Sequence, residues 1–153
     1  LKNKMHLPDY EKLKEFQVPA FGYELLREVL IPDILGKDHA SMLYWAGKSL
    51  ARKFPMESLE DVSGFFEQAG WGSLQLLSKK KNELEFELSG EFVLSRLQSA
   101  KEAEFQLEAG FLAQQVEFLT KQLTEAFEQP RKKHKKITFR ILSDPKDPAI
   151  DNM

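Results

Sequence analysis

The chain has 153 residues, 42% of them hydrophobic and 12 of them Phe, with a formal net charge of −2 and no cysteine. That length and apolar content predict one packed domain rather than disorder, and a near-neutral charge does not point to nucleic acid. Without cysteine there are no disulfides, no thiolate nucleophile, no Cys-ligated zinc and no S-acylation of the chain itself.

No apolar run reaches the roughly 18 residues of a membrane span. The segment Leu1-Lys2-Asn3-Lys4-Met5-His6 lacks the apolar core of a signal peptide, so the expected compartment is the cytoplasm. Residues 1–17 read as a tail with at most a short helix, Asp9–Phe16, turning Tyr10 and Leu13 inward. Pro19 stands at a helix start, where proline is tolerated, and a helix follows over Ala20–Ile31. At about 100° per residue, Phe21, Leu25 and Val29 share a face. Tyr23, Leu26 and Leu30 widen it past half the circumference. Pro32 and Gly36 are expected to punctuate this helix and the turn after it.

Asp38 is the expected N-cap of a helix over His39–Phe54. Leu43, Ala46, Gly47, Leu50 and Phe54 form its core stripe. Lys48, Ser49, Arg52 and Lys53 take the other side, and Trp45 falls in that polar sector. Ser58 with Asp61 resembles a capping box opening a helix over Leu59–Ala69, with Leu59, Val62, Phe65 or Phe66, and Ala69 inward. Gly70 is its natural stop.

The period then changes from 3.6 to 2. Leu74 and Leu76 alternate, Lys79-Lys80-Lys81-Asn82 makes a turn, and Glu83–Leu88 alternates without error, which predicts a hairpin with one buried face. Phe92–Ala100 reads as a short helix. A long helix is expected over Phe105–Phe127, with Phe105, Leu112, Val116, Leu119, Leu123 and Phe127 as its main stripe and Pro130 ending it. Ile137, Phe139 and Ile141 supply a third strand, Ile137–Leu142, and residues 144–153 read as a disordered tail. The expected fold is α+β in a single domain over residues 18–143. N-terminal helices precede β-β-α-β, giving four to six helices against a small three-stranded antiparallel sheet.

Three motifs, Tyr44-Trp45-Ala46-Gly47-Lys48, Phe66-Glu67-Gln68-Ala69-Gly70-Trp71-Gly72 and Phe105-Gln106-Leu107-Glu108-Ala109-Gly110-Phe111, resemble the YslB-like family of bacterial proteins from about Phe21 to Leu142. That family is similar in turn to a wider group of ligand-binding domains: TRAPP subunits, vinyl-four-reductase domains and haem H-NOX domains. The resemblance implies a TRAPP-like fold and either an apolar ligand or a protein partner. It brings no reaction. The acceptor cysteine of TRAPP-type acylation is absent. So are the H-NOX Tyr-x-Ser-x-Arg motif and the metal-type cysteines of vinyl-four-reductase domains.

His6, His39 and His134 share no metal-ligand spacing, and no third group makes a triad with His39 and Ser41. The expected catalytic set and the expected cofactor set are therefore both empty, and no metal, haem or nucleotide is needed for folding. The basic run Arg131-Lys132-Lys133-His134-Lys135-Lys136 is read as a solvated helix end that complements the helix dipole. No aromatic interleaves with it to stack on bases, and the Lys79–Lys81 turn is read in the same way.

Ala109, Gly110 and Ala113 form a small-residue patch on the long helix, and Gly47 stands mid-helix on another core face. Helical Gly costs about 1 kcal/mol against Ala, so something should offset it: close helix packing, the commoner answer, or an apolar guest. A guest pocket would lie between the Leu43–Phe54 helix and the start of the long helix. Gly47, Ala109, Gly110 and Ala113 would form its narrow part, with Leu43, Leu50, Phe54, Phe65 and Phe111 as walls. Leu26, Leu30, Trp45 and Phe118 lie on second apolar faces and are the interface candidates. The expected function is a non-enzymatic binding or adaptor protein, a homodimer that also contacts another protein. The alternative is a carrier or sensor of an apolar small molecule or acyl chain.

Overall fold

The computed structural model of the chain describes residues 7–99, 103–131 and 135–148. It begins with α1 (Tyr10–Leu13), capped by the Asp9 side chain, which accepts from the Glu11 amide. Tyr10 and Leu13 are exposed rather than turned into the core. Next come α2 (Ala20–Glu24), a π-helical stretch (Leu25–Leu30) and α3 (Ile31–Leu35), which run on without a break. Pro32 therefore does not end the helix. Proline tolerates the first helical turn because its missing N–H would be unpaired there anyway, and the π-stretch just before it makes Pro32 part of a new first turn. Gly36, at φ +78, stops the helix.

After a short 3-10 turn comes α4 (His39–Lys53). Asp38 makes no side-chain cap; instead its carbonyl accepts from the Ser41 hydroxyl at 3.1 Å. The core side of α4 is rotated from the expected stripe. Leu43, Gly47 and Ala51 are buried and Ala46 is exposed. Lys48 is buried too, its stem lying along the helix with Nζ 5.5 Å from the Tyr44 ring and 5.2 Å from the Trp45 ring, as long cationic side chains do when their stems cover apolar surface. In α5 (Leu59–Gln68) the Ser58 hydroxyl caps the Asp61 amide at 3.1 Å. Val62 and Phe66 are its buried residues.

The sheet has four antiparallel strands in the order β1-β2-β4-β3, one more than expected. β1 (Ser73–Lys80) and β2 (Glu83–Ser89) form the hairpin. A register shift between Leu76 and Ser78 accommodates an extra residue, and Leu76, on an edge strand, stays exposed. β2 pairs with β4 (Lys136–Pro148) so that Leu84, Phe86 and Leu88 stand opposite Ile141, Phe139 and Ile137. β4 also carries through Pro148, so the tail expected from residue 144 is strand to that point, while residues 149–153 lie outside the described residues. α6 (Glu91–Ser99) is the expected short helix; Ala100 lies outside the described residues.

The fourth strand comes from the end of the expected long helix. α7 is Gln106–Thr120, and β3 is Gln122–Arg131. Lys121, left-handed at φ +61, ends the helix. In β3 Thr124 and Ala126 turn inward while Leu123 and Phe127 are exposed. A spacing of four fits a helix and also keeps parity in a strand, so Leu119, Leu123 and Phe127 mimicked a helical stripe. Pro130 is tolerated because β3 is an edge strand.

α7 is the centre of the molecule. It packs on α4 and α5 on one side and on β3 and β4 on the other. Glu108 through Glu117 are all buried. Its inside polar groups are partnered, as buried polar groups must be. Gln115 accepts from the Met56 amide at 3.0 Å and donates to the Phe54 carbonyl at 2.8 Å, pinning the α4–α5 turn. Glu117 accepts from the Thr124 amide at 3.1 Å, pinning β3. The Ala126 amide donates to the Tyr44 hydroxyl at 3.0 Å, tying the same strand to α4.

Candidate functional site

Gly47 of α4 faces the backbone of α7, and Gly110 of α7 faces the backbone of α4. A Cβ at Gly110 would overlap the Tyr44 carbonyl and lie 2.8 Å from its carbon; one at Gly47 would overlap the Leu107 carbonyl and lie 2.8 Å from the Phe111 amide nitrogen. The two backbones touch. Gly47 and Gly110 therefore stand at a helix–helix contact where no side chain fits between the axes, while Ala109 and Ala113 are fully buried on α7. Phe111 fills the space beyond, stacked on Phe65 with centroids 4.6 Å apart. Leu43 is buried on the α4 side.

Above this contact lies a buried charge network that periodicity did not reveal. Arg27, in the π-helical stretch, grips Glu108 with both terminal nitrogens, at 2.7 and 3.1 Å. Arg96, on α6, reaches Glu108 at 3.5 Å, Glu28 at 2.6 Å and the Glu104 carbonyl at 2.7 Å. Its guanidinium lies 4.1 Å from the centre of the Phe105 ring. Arg27, Arg96 and Glu108 are at most 3% exposed. Burial alone would lower the Arg27 pKa, but the Glu108 carboxylate outweighs it and holds the guanidinium above its ordinary range. Burial raises the Tyr23 phenol, against the pull of Arg27. The network fastens the N-terminal helix to α6 and α7. Its one trace in the sequence is Arg27 standing within the apolar arc of Leu25, Leu26, Val29 and Leu30.

Glu128 supports the start of α7 from β3, accepting from the Phe105 amide at 3.0 Å and the Gln106 side chain at 2.6 Å. Burial pushes its carboxyl up, the two donors oppose this, and Glu104 and Glu108 add to it. A carboxyl raised in the folded state favours folding while protonated, and that contribution is lost as pH rises from the ordinary carboxylate range through the raised value. Glu128→Gln keeps an acceptor for both donors. It is expected to flatten this stretch of the urea midpoint against pH without lowering the midpoint at neutral pH. An unchanged pH slope would show that Glu128 is not its source.

The outer side of the N-terminal helix is apolar and open. Phe21 is 71%, Leu26 57%, Leu30 46% and Ile34 77% exposed. α3 packs beside α4, whose Met42 and Trp45 are also exposed, Trp45 at 64%. Trp45 and Phe127 line a shallow recess of about 250 Å³. The remaining interface candidate, Phe118, is half-buried on α7.

A separate cleft of about 450 Å³ lies under α1, lined by side chains of α1, α4 and α5 together with Phe16 and Trp71. Of the nine pocket candidates it uses Leu50, Phe54 and Phe65, and none of the other six. Its other large apolar lining residues are Tyr10, Leu13, Phe16 and Trp71, with Pro8, Lys14, Gln68 and Ala69 beside them.

His39 touches the Gly36 carbonyl through Nδ1 at 3.2 Å. His6, His134, Lys132 and Lys133 lie outside the described residues. Among the described residues no group of three or more His, Asp or Glu could hold a metal ion, and no helix is long and apolar enough to cross a membrane.

Similarity to other proteins follows this architecture. A vinyl-4-reductase family protein from Methanocaldococcus jannaschii shares the fold at a TM-score of 0.68 and 19% identity, over 89% of this chain and 88% of that one. The phenol-responsive sensory domain of the transcription activator PoxR, solved with phenol, matches at a TM-score of 0.60 and 14% identity, over 82% and 75% of the two chains. Uncharacterized protein YslB of Bacillus subtilis (strain 168) is 51% identical over 139 residues, 91% of this chain and 94% of that protein. Residues 20–142 match the family described as "Protein of unknown function (DUF2507)", and the chain belongs to that family.

Proposed function

We propose that the chain is a non-enzymatic binding module that works through protein contacts and forms a homodimer across the outer side of residues 20–35 and α4. The observation behind this reading is the exposed apolar face holding Phe21, Leu26, Leu30, Ile34, Met42 and Trp45. Single exposed apolar residues are ordinary, but a concentration of them on adjacent elements marks an interaction surface. An exposed Trp45 suits an interface anchor, and two-fold pairing is the commonest way for a chain to cover such a face. The ion pairs beneath hold the helix in place, so the face is presented on a fixed support. Size-exclusion chromatography with light scattering tests this. The native chain is expected at dimer mass, and the Leu26→Asp/Leu30→Asp variant at monomer mass with an unchanged far-ultraviolet circular dichroism spectrum. A native chain that stays monomeric at high micromolar concentration would refute the homodimer.

A second reading, binding of an apolar small molecule, is favoured by the aromatic cleft under α1 and by a fold shared with a domain whose structure was solved with phenol.

A further inference from the structure

We propose that the cleft under α1 is a binding site for a flat aromatic monocarboxylate of one or two rings. The inference rests on the second reading above and adds a place and a ligand class. The back wall is a ring system fixed by the core. Phe65 lies 5.4 Å from Phe54 and 5.6 Å from Trp71, tilted at 50° and 70°, and Phe111 supports Phe65 from behind. Tilted rings offer edges to the face of a flat guest, an arrangement aromatic pairs prefer. The front wall is α1 and the segment after it. α1 has no buried residue, and Tyr10, Leu13 and Phe16 are 41%, 51% and 72% exposed. Three large apolar side chains are thus held beside an apolar wall without closing on it, and a guest between them would be covered on both sides. The volume of about 450 Å³ falls within the range of small-molecule sites.

Charge selects the class. Lys14 is the one charged residue among those lining the cleft. Its partner Glu11, at 2.7 Å, is itself a surface residue with a 72% exposed side chain, and such pairs are weak. A carboxylate on the guest can replace it. Gln68 and the Tyr10 hydroxyl are the neutral polar groups of the lining.

The test titrates 2-naphthoate and 2-naphthalenemethanol into the full chain carrying Trp45→Phe, so that Trp71 alone reports by quenching. Naphthoate is expected to bind saturably at one per chain and about threefold more tightly than the alcohol, as a partly exposed charge pair provides. Lys14→Glu should abolish that preference and leave the alcohol unchanged. Ala69→Phe, which fills the cleft, and Leu13→Asp, which changes only an exposed wall residue, should each abolish binding of both probes. Equal affinities would overturn the carboxylate class. Saturable binding that survives both cleft variants would overturn this site while leaving the small-molecule reading standing. No saturable binding of either probe would overturn both.

Discussion

Gly110→Ala is expected to lower stability by about 3 kcal/mol, the upper end of ordinary overpacking. For a chain of this size that is a fall in melting temperature of about 6–12 °C. The added methyl meets backbone, the Tyr44 carbonyl, rather than a side chain that could swing away. Relief requires α4 and α7 to separate, which also strains the Tyr44 bond to the Ala126 amide and hence the seating of β3. Gly47→Ala meets the Leu107 carbonyl and should behave alike. Gly64, also helical, has nothing within 4 Å of a built Cβ. Gly64→Ala should stabilise by about 0.5–1 kcal/mol through helix propensity. Calorimetry on the three variants separates crowding from propensity. A Gly110→Ala protein melting with the native chain would show that the helices are not in backbone contact.

Glu108→Ala is expected to be costlier, at about 3–5 kcal/mol. Its carboxylate is fully buried between two guanidinia. Removing it leaves Arg27 and Arg96 in the interior with only Glu28 and the more distant Glu104 carboxylate nearby, and unpaired buried charge is what makes such losses large. The loss should be local as well as global, because Arg27 is the one buried residue of its helical stretch. Amides of residues 20–35 are expected to lose hydrogen-exchange protection before those of α7. A triple replacement of Glu108, Arg27 and Arg96 by Leu, Met and Met should recover most of the stability, since apolar substitutes for buried ion networks are often neutral or better. A Glu108→Ala cost below about 1 kcal/mol would show that water reaches and screens the network.

These two sites differ in how far the sequence announces them. A glycine in mid-helix is conspicuous on propensity alone, so Gly47 and Gly110 stood out as positions needing an offset. That each meets the backbone of the other helix is tertiary information, which no periodicity contains. The ion network was silent for a different reason: reading by faces assigns every charge to the solvent side. Arg27 and Glu108 are 81 positions apart, and only the docking of the N-terminal helix on α7 makes them partners. β3 was lost to an ambiguity of spacing. Its inward residues, Thr124 and Ala126, are small or polar, while its outward residues, Leu123 and Phe127, are large and apolar, the reverse of a one-faced strand. The hairpin, by contrast, was plain, because Glu83–Leu88 alternates without error and one face is buried. The aromatic cleft is not legible because α1 lies far from α5 in sequence, although its inner residues Leu50, Phe54 and Phe65 are among the expected pocket walls.

The apolar outer face of residues 20–35 and α4 is tested most directly by the two tryptophans. In the single chain Trp45 is 64% exposed and Trp71 only 7%. Acrylamide should therefore quench about half of the emission at nanomolar concentration, where a dimer would be dissociated. If the face is a homodimer contact, the quenchable fraction falls toward zero as concentration rises to the high micromolar range, with a blue shift of the emission, and it stays constant in the Leu26→Asp/Leu30→Asp variant. A native chain whose Trp45 is equally quenchable at every concentration would contradict the account.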